Sequence, residues 1–151
     1  MNIYINNLNE FNKFGKTLAS LLKPGDTLCL NGNLGAGKTT LTQAIGKARG
    51  IKDYITSPTF NLINQYGDGP DIYHIDSYRL ENVDEIDDLG FDDYFYSNAI
   101  CIVEWADRIE LFLPKDRLEI DIFPDGEKRR LNIKAKGKRA NQILEELKNL
   151  W

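Results

Sequence analysis

Cysteine is scarce in this chain, histidine scarcer still, and long apolar runs are missing altogether. The two cysteines, Cys29 and Cys101, lie inside short apolar segments, which suits buried reduced thiols rather than a disulfide or a thiolate metal site. The single histidine, His74, sits in an alternating apolar segment and reads as a strand residue facing solvent or a neighbour, not as a catalytic base. No apolar stretch approaches the roughly 20 residues of a membrane span. The opening residues Met1-Asn2-Ile3-Tyr4-Ile5-Asn6-Asn7 carry neither the basic nor the apolar region of a signal peptide, so the expected location is the cytoplasm. Internal repeats, low-complexity tracts and linkers are also missing. Residues 1–151 therefore read as one domain, with 42% hydrophobic and 28% charged residues typical of a soluble globular protein.

The net charge of −4 conceals an asymmetry. Between residues 68 and 93 there are ten carboxylates and one arginine, Arg79, whereas residues 128–139 hold seven basic side chains and no acidic one. Such runs are solvated faces, or else an acidic docking patch and a basic edge near phosphate. A pI of about 5.0 argues against broad, autonomous RNA binding.

Against this background one segment stands out. Residues 32–39, Gly-Asn-Leu-Gly-Ala-Gly-Lys-Thr, match G-x-x-x-x-G-K-[ST] in full. At ordinary residue frequencies that pattern arises by chance in a chain of this length on the order of once in two hundred. The apolar run Thr27-Leu28-Cys29-Leu30 precedes it, and Leu41, Ala44, Ile45 and Ala48 follow at helical spacing. Strand, glycine-rich turn and helix is the context in which the motif cradles phosphate. Gly32, Gly35 and Gly37 let backbone N–H groups point inward at a helix N-terminus. Lys38 supplies a point charge for the β- and γ-phosphates, and the Thr39 hydroxyl is a hard oxygen ligand for Mg²⁺. The expected cradle runs through Asn33, Leu34, Gly35, Ala36, Gly37, Lys38, Thr39 and Thr40, and the expected ligands are a nucleoside triphosphate and Mg²⁺.

The rest of the chain reads as alternating elements. A short strand over 2–6 precedes a helix from an Asn9 cap to about residue 22, with Phe11, Phe14, Leu18, Leu21 and Leu22 on one face. After the 38–49 helix, Gly50 is a C-terminal cap and Ser57-Pro58-Thr59 a break. Residues 60–66 and 71–76 suit a hairpin, 82–88 a short acidic helix, and 99–103 a central strand. A second hairpin pairs 117–123 with 128–135 around Pro124-Asp125-Gly126, and an amphipathic helix covers 139–150.

Phosphate-loop proteins use a second acid at the end of a neighbouring strand to manage the metal. Two positions compete here: Glu104, after Ile100-Cys101-Ile102-Val103, and Asp76, after Ile72-Tyr73-His74-Ile75. Thr59 sits where switch segments sense the γ-phosphate, although Ser-Pro-Thr is also an ordinary loop. Trp105 is either a core aromatic or a lid beside the site.

Taken together, residues 32–40, Ser57-Pro58-Thr59-Phe60, Tyr73-His74-Ile75-Asp76-Ser77-Tyr78-Arg79-Leu80 and Val103-Glu104-Trp105 resemble the TsaE (YjeE) family of bacterial tRNA threonylcarbamoyladenosine biosynthesis ATPases. The similarity is collinear over nearly the whole chain. It implies a mixed α/β P-loop sheet flanked by helices with antiparallel hairpin additions, and weak Mg²⁺-dependent ATPase activity. It also implies TsaB and TsaD partners, with tRNA reached through the complex and no membrane. By the same resemblance Lys38 and Thr39 bind phosphate and metal, Asp76 and Glu104 are the strand-end acids with Glu104 near Mg²⁺, and Thr59 and Trp105 match family site residues. Two departures stand out: Asn33 replaces a common acid, keeping its hydrogen-bonding shape without the charge, and the aromatic Phe11 replaces a polar residue near the base.

A small-molecule kinase is the alternative function. Such kinases carry an arginine-bearing lid, whereas the acidic segment 81–93 would repel donor phosphates. A GTPase needs an Asn/Thr-Lys-x-Asp tetrad after the loop, and none occurs. No arginine finger is recognisable either, which leaves a binding module without turnover open. Arg79, Lys128, Arg129 and Arg130 are the cations available to a nucleotide if the fold delivers them, and Arg130 is placed among the nucleotide contacts.

Overall fold

The strand Ile100–Glu104 is buried at every position, and its unbroken apolar run is what a strand covered on both faces requires. In chain order the elements are β1 (Asn2–Ile5), α1 (Leu8–Leu21), β2 (Thr27–Asn31), α2 (Lys38–Ala48), β3 (Ile63–Tyr66) and β4 (Ile72–Asp76). There follow α3 (Val83–Asp88), α4 (Asp92–Phe95), β5 (Ile100–Glu104), a 3₁₀ helix (Ala106–Phe112), β6 (Arg117–Asp125), β7 (Lys128–Lys136) and α5 (Lys138–Leu150). The computed structural model describes residues 1–58 and 61–151.

The seven strands among the described residues form one mixed sheet in the order β1-β7-β6-β2-β5-β4-β3. Its centre is parallel, with β2 between β6 and β5 and β4 outside β5. The flanks are antiparallel: β3 on β4, and β7 with β1 beyond β6. This is the mixed α/β P-loop sheet with hairpin additions that the family resemblance implies.

Period-two alternation sorts the core into two layers. Leu28, Leu30, Ile72, Ile100, Ile102 and Ile120 pack with Phe14 and Leu18 of α1, Leu41 and Ile45 of α2, and Ile143 and Leu147 of α5. Cys29, Ile75, Cys101 and Val103 face the other way, onto Leu80, Ile86, Phe91, Phe95 and Ile109. Helices α1 and α2 meet at Gly15, where an added Cβ would lie 2.4 Å from the Cβ of Ala44.

The differences from sequence expectation are local. Asn7, not Asn9, caps α1: its side chain accepts from Glu10 N–H at 2.9 Å, while the Glu10 carboxylate accepts from Asn6 N–H at 2.7 Å. Those two hydrogen bonds close the first turn two residues earlier than the apolar spacing suggests. Ala48 is exposed, so the buried stripe of α2 ends at Ile45 and Gly46. The second hairpin turns through Gly126-Glu127, with Pro124 and Asp125 still paired in β6. The aromatic cluster at 91–96 folds into α4, where Phe91 and Phe95 are buried. Helix α3 is capped by Asn82 and anchored by Ile86, leaving its carboxylates exposed. Phe60 and Thr59 lie outside the described residues. Among the described residues no helix is long and apolar enough to cross a membrane.

Candidate functional site

Because the central strands run parallel, β2, β4 and β5 end on the same edge of the sheet, and α2 starts there. Gly37 is the N-cap of α2 at φ +117°, a left-handed conformation that L side chains rarely adopt. It makes no side-chain cap hydrogen bond. The first-turn N–H groups of α2 therefore face the cleft with the positive end of the helix dipole behind them, a ready anion site.

Lys38 folds back over this loop. Its ammonium donates to the carbonyl oxygens of Gly32 and, at 3.1 Å, Asn33, and lies 4.3 Å from the centre of the Trp105 ring. Burial lowers its pKa from the ordinary lysine value, and the nearby carboxylates of Glu104, Asp76 and Asp107 oppose that shift. Its ammonium is held by two loop carbonyls, whose bonds a phosphate would have to displace or share.

The two competing acids stand side by side, since Asp76 and Glu104 are register partners on β4 and β5. Their environments differ. Both Glu104 oxygens accept from Thr39 Oγ1 at 3.2 Å, and Oε2 also meets His74 Nε2. Asp76 is engaged elsewhere: Ser57 Oγ donates to one oxygen and Tyr78 N–H to the other, each at 2.9 Å. Glu104 thus faces the loop threonine, and Asp76 ties the Ser57 segment and the Tyr78 turn to the strand end. His74 is fully buried against Glu104, so of its two expected settings the structure selects the neighbour.

Trp105 turns the chain sharply at φ +57°, while its N–H donates to Leu30 O at 3.0 Å. The turn swings the indole over Lys38 and against Tyr78, whose ring centre is 4.9 Å away. Trp105 is therefore a wall of the site, not a core aromatic. Arg108 stacks outside Tyr78, its guanidinium 5.1 Å from that ring.

These groups enclose a cleft of about 310 Å³ lined by Gly35, Gly37, Lys38, Thr39, Thr40, Asp76, Glu104 and Trp105, with Leu34 at its exposed lip. A second hollow of about 220 Å³ opens on the other side of the loop, between Phe11, Leu8, Gly37, Thr40 and Arg129. Phe11 is packed so closely that a Cβ on Gly37 would lie 2.9 Å from its ring. Asn33 is exposed, and its backbone oxygen accepts from both Lys38 and Ala36.

One expected contact is corrected. Arg130 does not reach the loop; it stacks on Phe123, with its guanidinium 4.2 Å from that ring. Alternation along β7 turns its neighbour Arg129 the other way, and Arg129 Nε donates to Ala36 O at 3.0 Å. Two adjacent arginines on a strand point to opposite faces, and only the register with β1 and β6 tells which one meets the loop. Thr59 lies outside the described residues.

A metal would find oxygen donors here, the Thr39 hydroxyl and the Glu104 carboxylate. Among the described residues no group of three or more His, Cys, Asp or Glu gathers to hold a metal unaided. That donor set fits Mg²⁺, which is held by one or two protein oxygens together with substrate phosphates.

The profile of the family described as "Threonylcarbamoyl adenosine biosynthesis protein TsaE" matches residues 5–132, a span that holds every site residue named above. This chain belongs to the TsaE family. It is 45% identical over 143 residues to the tRNA threonylcarbamoyladenosine biosynthesis protein TsaE of Bacillus subtilis, covering 93% of this chain and 89% of that one. The Haemophilus influenzae protein of the same name is 34% identical, covering 91% and 90%. The crystal structure of B. subtilis YdiB superposes with a TM-score of 0.85 at 37% identity, covering 99% of this chain and 94% of that chain. As a TsaE-family member, the chain has a place in threonylcarbamoyladenosine biosynthesis.

Proposed function

We propose that this TsaE-family chain binds ATP with Mg²⁺ in the Lys38–Glu104 cleft and hydrolyses it slowly, as the nucleotide-driven subunit of a tRNA-modifying complex with TsaB- and TsaD-type proteins. The observation that carries this reading is the Thr39–Glu104 contact beside the glycine-rich N-terminus of α2. A hydroxyl and a buried carboxylate, both oxygen donors of the kind Mg²⁺ takes, thus stand together at the start of α2, and this supports the reading. In this arrangement the loop N–H groups and Lys38 hold the β- and γ-phosphates. Thr39 and Glu104 are the residues that would hold Mg²⁺, which would supply positive charge beside the phosphates. Trp105 and Tyr78 wall the triphosphate end from solvent. Phe11 and the second hollow lie on the far side of the loop, where adenine would sit, and Arg129 braces the Ala36 carbonyl between them.

Slow turnover follows from the charge inventory. Among the described residues lining the cleft, Lys38 is the one cation. A phosphate-loop enzyme without a further cation on the developing charge runs several orders of magnitude below its assisted rate. Partners that add such a group or close the cleft would raise the rate. Phosphorus NMR of ATP incubated with the chain, alone and with TsaB and TsaD, tests this. ADP and inorganic phosphate as the only products, formed faster with partners, are expected. Transfer of the phosphoryl group to an acceptor would replace the hydrolase reading with the kinase one.

A further inference from the structure

His74 is wholly buried, and the nucleotide reading leaves it without a task. It lies in a buried layer: Ile72, on the same face of β4, and Ile102, its partner on β5, are fully buried, while Asn64, its partner on β3, and Asp76, two residues along β4, are polar. An imidazole in such a layer is costly unless its nitrogens are hydrogen-bonded. Yet Nδ1 has no hydrogen-bond partner among the described residues, and Nε2 has one, Glu104 Oε2. Among the described residues the side chain that bears this desolvation cost makes a single polar contact, and that contact is to the carboxylate facing Thr39.

The sheet explains the reach. His74 is opposite Ile102, two residues before Glu104, so the two side chains are diagonal neighbours on one face. From the other side Thr39 Oγ1 approaches both carboxylate oxygens at 3.2 Å. A carboxylate oxygen accepts, so Nε2 is the donor in this contact. The Tyr66 ring, 6.2 Å from the imidazole centre, packs beside His74 and limits its swing.

The geometry points to His74 as a positioning residue that pins one oxygen of Glu104 so that the carboxylate stays turned toward Thr39. This inference rests on the reading of Glu104 as the carboxylate on the metal side. Hydrogen-bond partners of metal-site ligands commonly contribute about 10–100-fold in metal affinity or activity.

Three substitutions separate positioning from packing. His74→Phe keeps the ring and removes the donor. His74→Gln carries an amide N–H about as far as Nε2, and His74→Asn falls short of Glu104. The readouts are calorimetric affinity for a non-hydrolysable ATP analogue with and without Mg²⁺, then kcat and KM, with denaturation curves to confirm folding. His74→Phe and His74→Asn are expected to lose about tenfold or more of the Mg²⁺-dependent gain in affinity. Their Mg²⁺-free affinity should stay at the wild-type level, their kcat should fall, and His74→Gln should recover most of the loss. If His74→Phe does not fold, the Gln–Asn pair carries the comparison. A wild-type Mg²⁺ gain in a donor-less variant, or a Gln variant no better than Asn, overturns the inference. Wild type and Glu104→Gln run alongside: no Mg²⁺ gain in the wild type overturns the reading of Glu104 and this inference with it. A gain lost in Glu104→Gln but kept in His74→Phe overturns this inference alone.

Discussion

Replacing Lys38 by alanine should separate ligand affinity from fold stability. In the ligand-free cleft the ammonium already has two carbonyl partners, so phosphate oxygens must displace or share those bonds. A hydrogen bond to a charged group contributes about 1.5–3 kcal/mol. Two such bonds, to the β- and γ-phosphates, give a gross loss of about 3–6 kcal/mol, and the carbonyl bonds given up on binding draw the net toward the lower end. At about 1.4 kcal/mol per tenfold, 3 kcal/mol corresponds to an affinity loss of roughly 150-fold. Stability should move less. The Asn33 carbonyl keeps its bond from Ala36 N–H, and removing a partly desolvated cation offsets the loss of its attraction to Glu104 and Asp76. Calorimetric titration with ATP, paired with urea denaturation, reads both quantities. An ATP affinity within threefold of wild type in folded Lys38→Ala would refute the assignment of Lys38 to the phosphates.

Three further outcomes are expected. Glu104→Gln should bind ATP but turn over about 10²–10³-fold more slowly, as when one group that stabilises transition-state charge is lost, with a milder loss in Asp76→Asn; equal single-turnover rates for Glu104→Gln and wild type would make Glu104 structural. Arg129→Ala should weaken nucleotide binding about five- to tenfold through the Ala36 carbonyl, whereas Arg130→Ala should not, and fluorescence titration with the reverse order would restore Arg130 to the site. Burial pushes the Cys101 thiol from its ordinary 9.0 up to about 12, so above pH 9 the unfolded chain releases a proton that the folded chain keeps. Stability should therefore fall with rising pH by about 1.4 kcal/mol per unit for this thiol. Denaturation of wild type against Cys101→Ala from pH 8 to 10 should show the wild type losing stability faster, and parallel curves would count against the buried thiol.

The parallel centre of the sheet was legible because strands covered on both faces carry continuous apolar runs, here Leu28-Cys29-Leu30 in β2 and Ile100-Cys101-Ile102-Val103 in β5. The phosphate loop was legible because its glycines, lysine and threonine stand at fixed offsets in one continuous segment. Which of Glu104 and Asp76 faces α2 was not, since both end apolar strands; the contacts of Thr39 and Ser57 supply that. Arg129 and Arg130 were indistinguishable for a related reason, because alternation assigns faces only once the register of β7 is known. The task of His74 was hidden by the same kind of long-range contact: nothing in Tyr73-His74-Ile75 signals a carboxylate 30 residues away. Trp105 at positive φ has no sequence signature, as a bulky aromatic is among the last residues expected there. The cap at Asn7 was within reach, because Asn7-x-x-Glu10 is a capping-box pattern two residues before Asn9.

The central claim is that Thr39 and Glu104 hold a metal ion against a triphosphate seated on the Gly32–Thr39 loop. Crystals of the full chain grown with a non-hydrolysable ATP analogue and Mn²⁺, measured at the manganese edge, locate that ion directly. The account predicts one anomalous peak bonded to Thr39 Oγ1, on the Glu104 side of the β- and γ-phosphates. A peak remote from Thr39, or a triphosphate bound away from the N-terminus of α2, would contradict it.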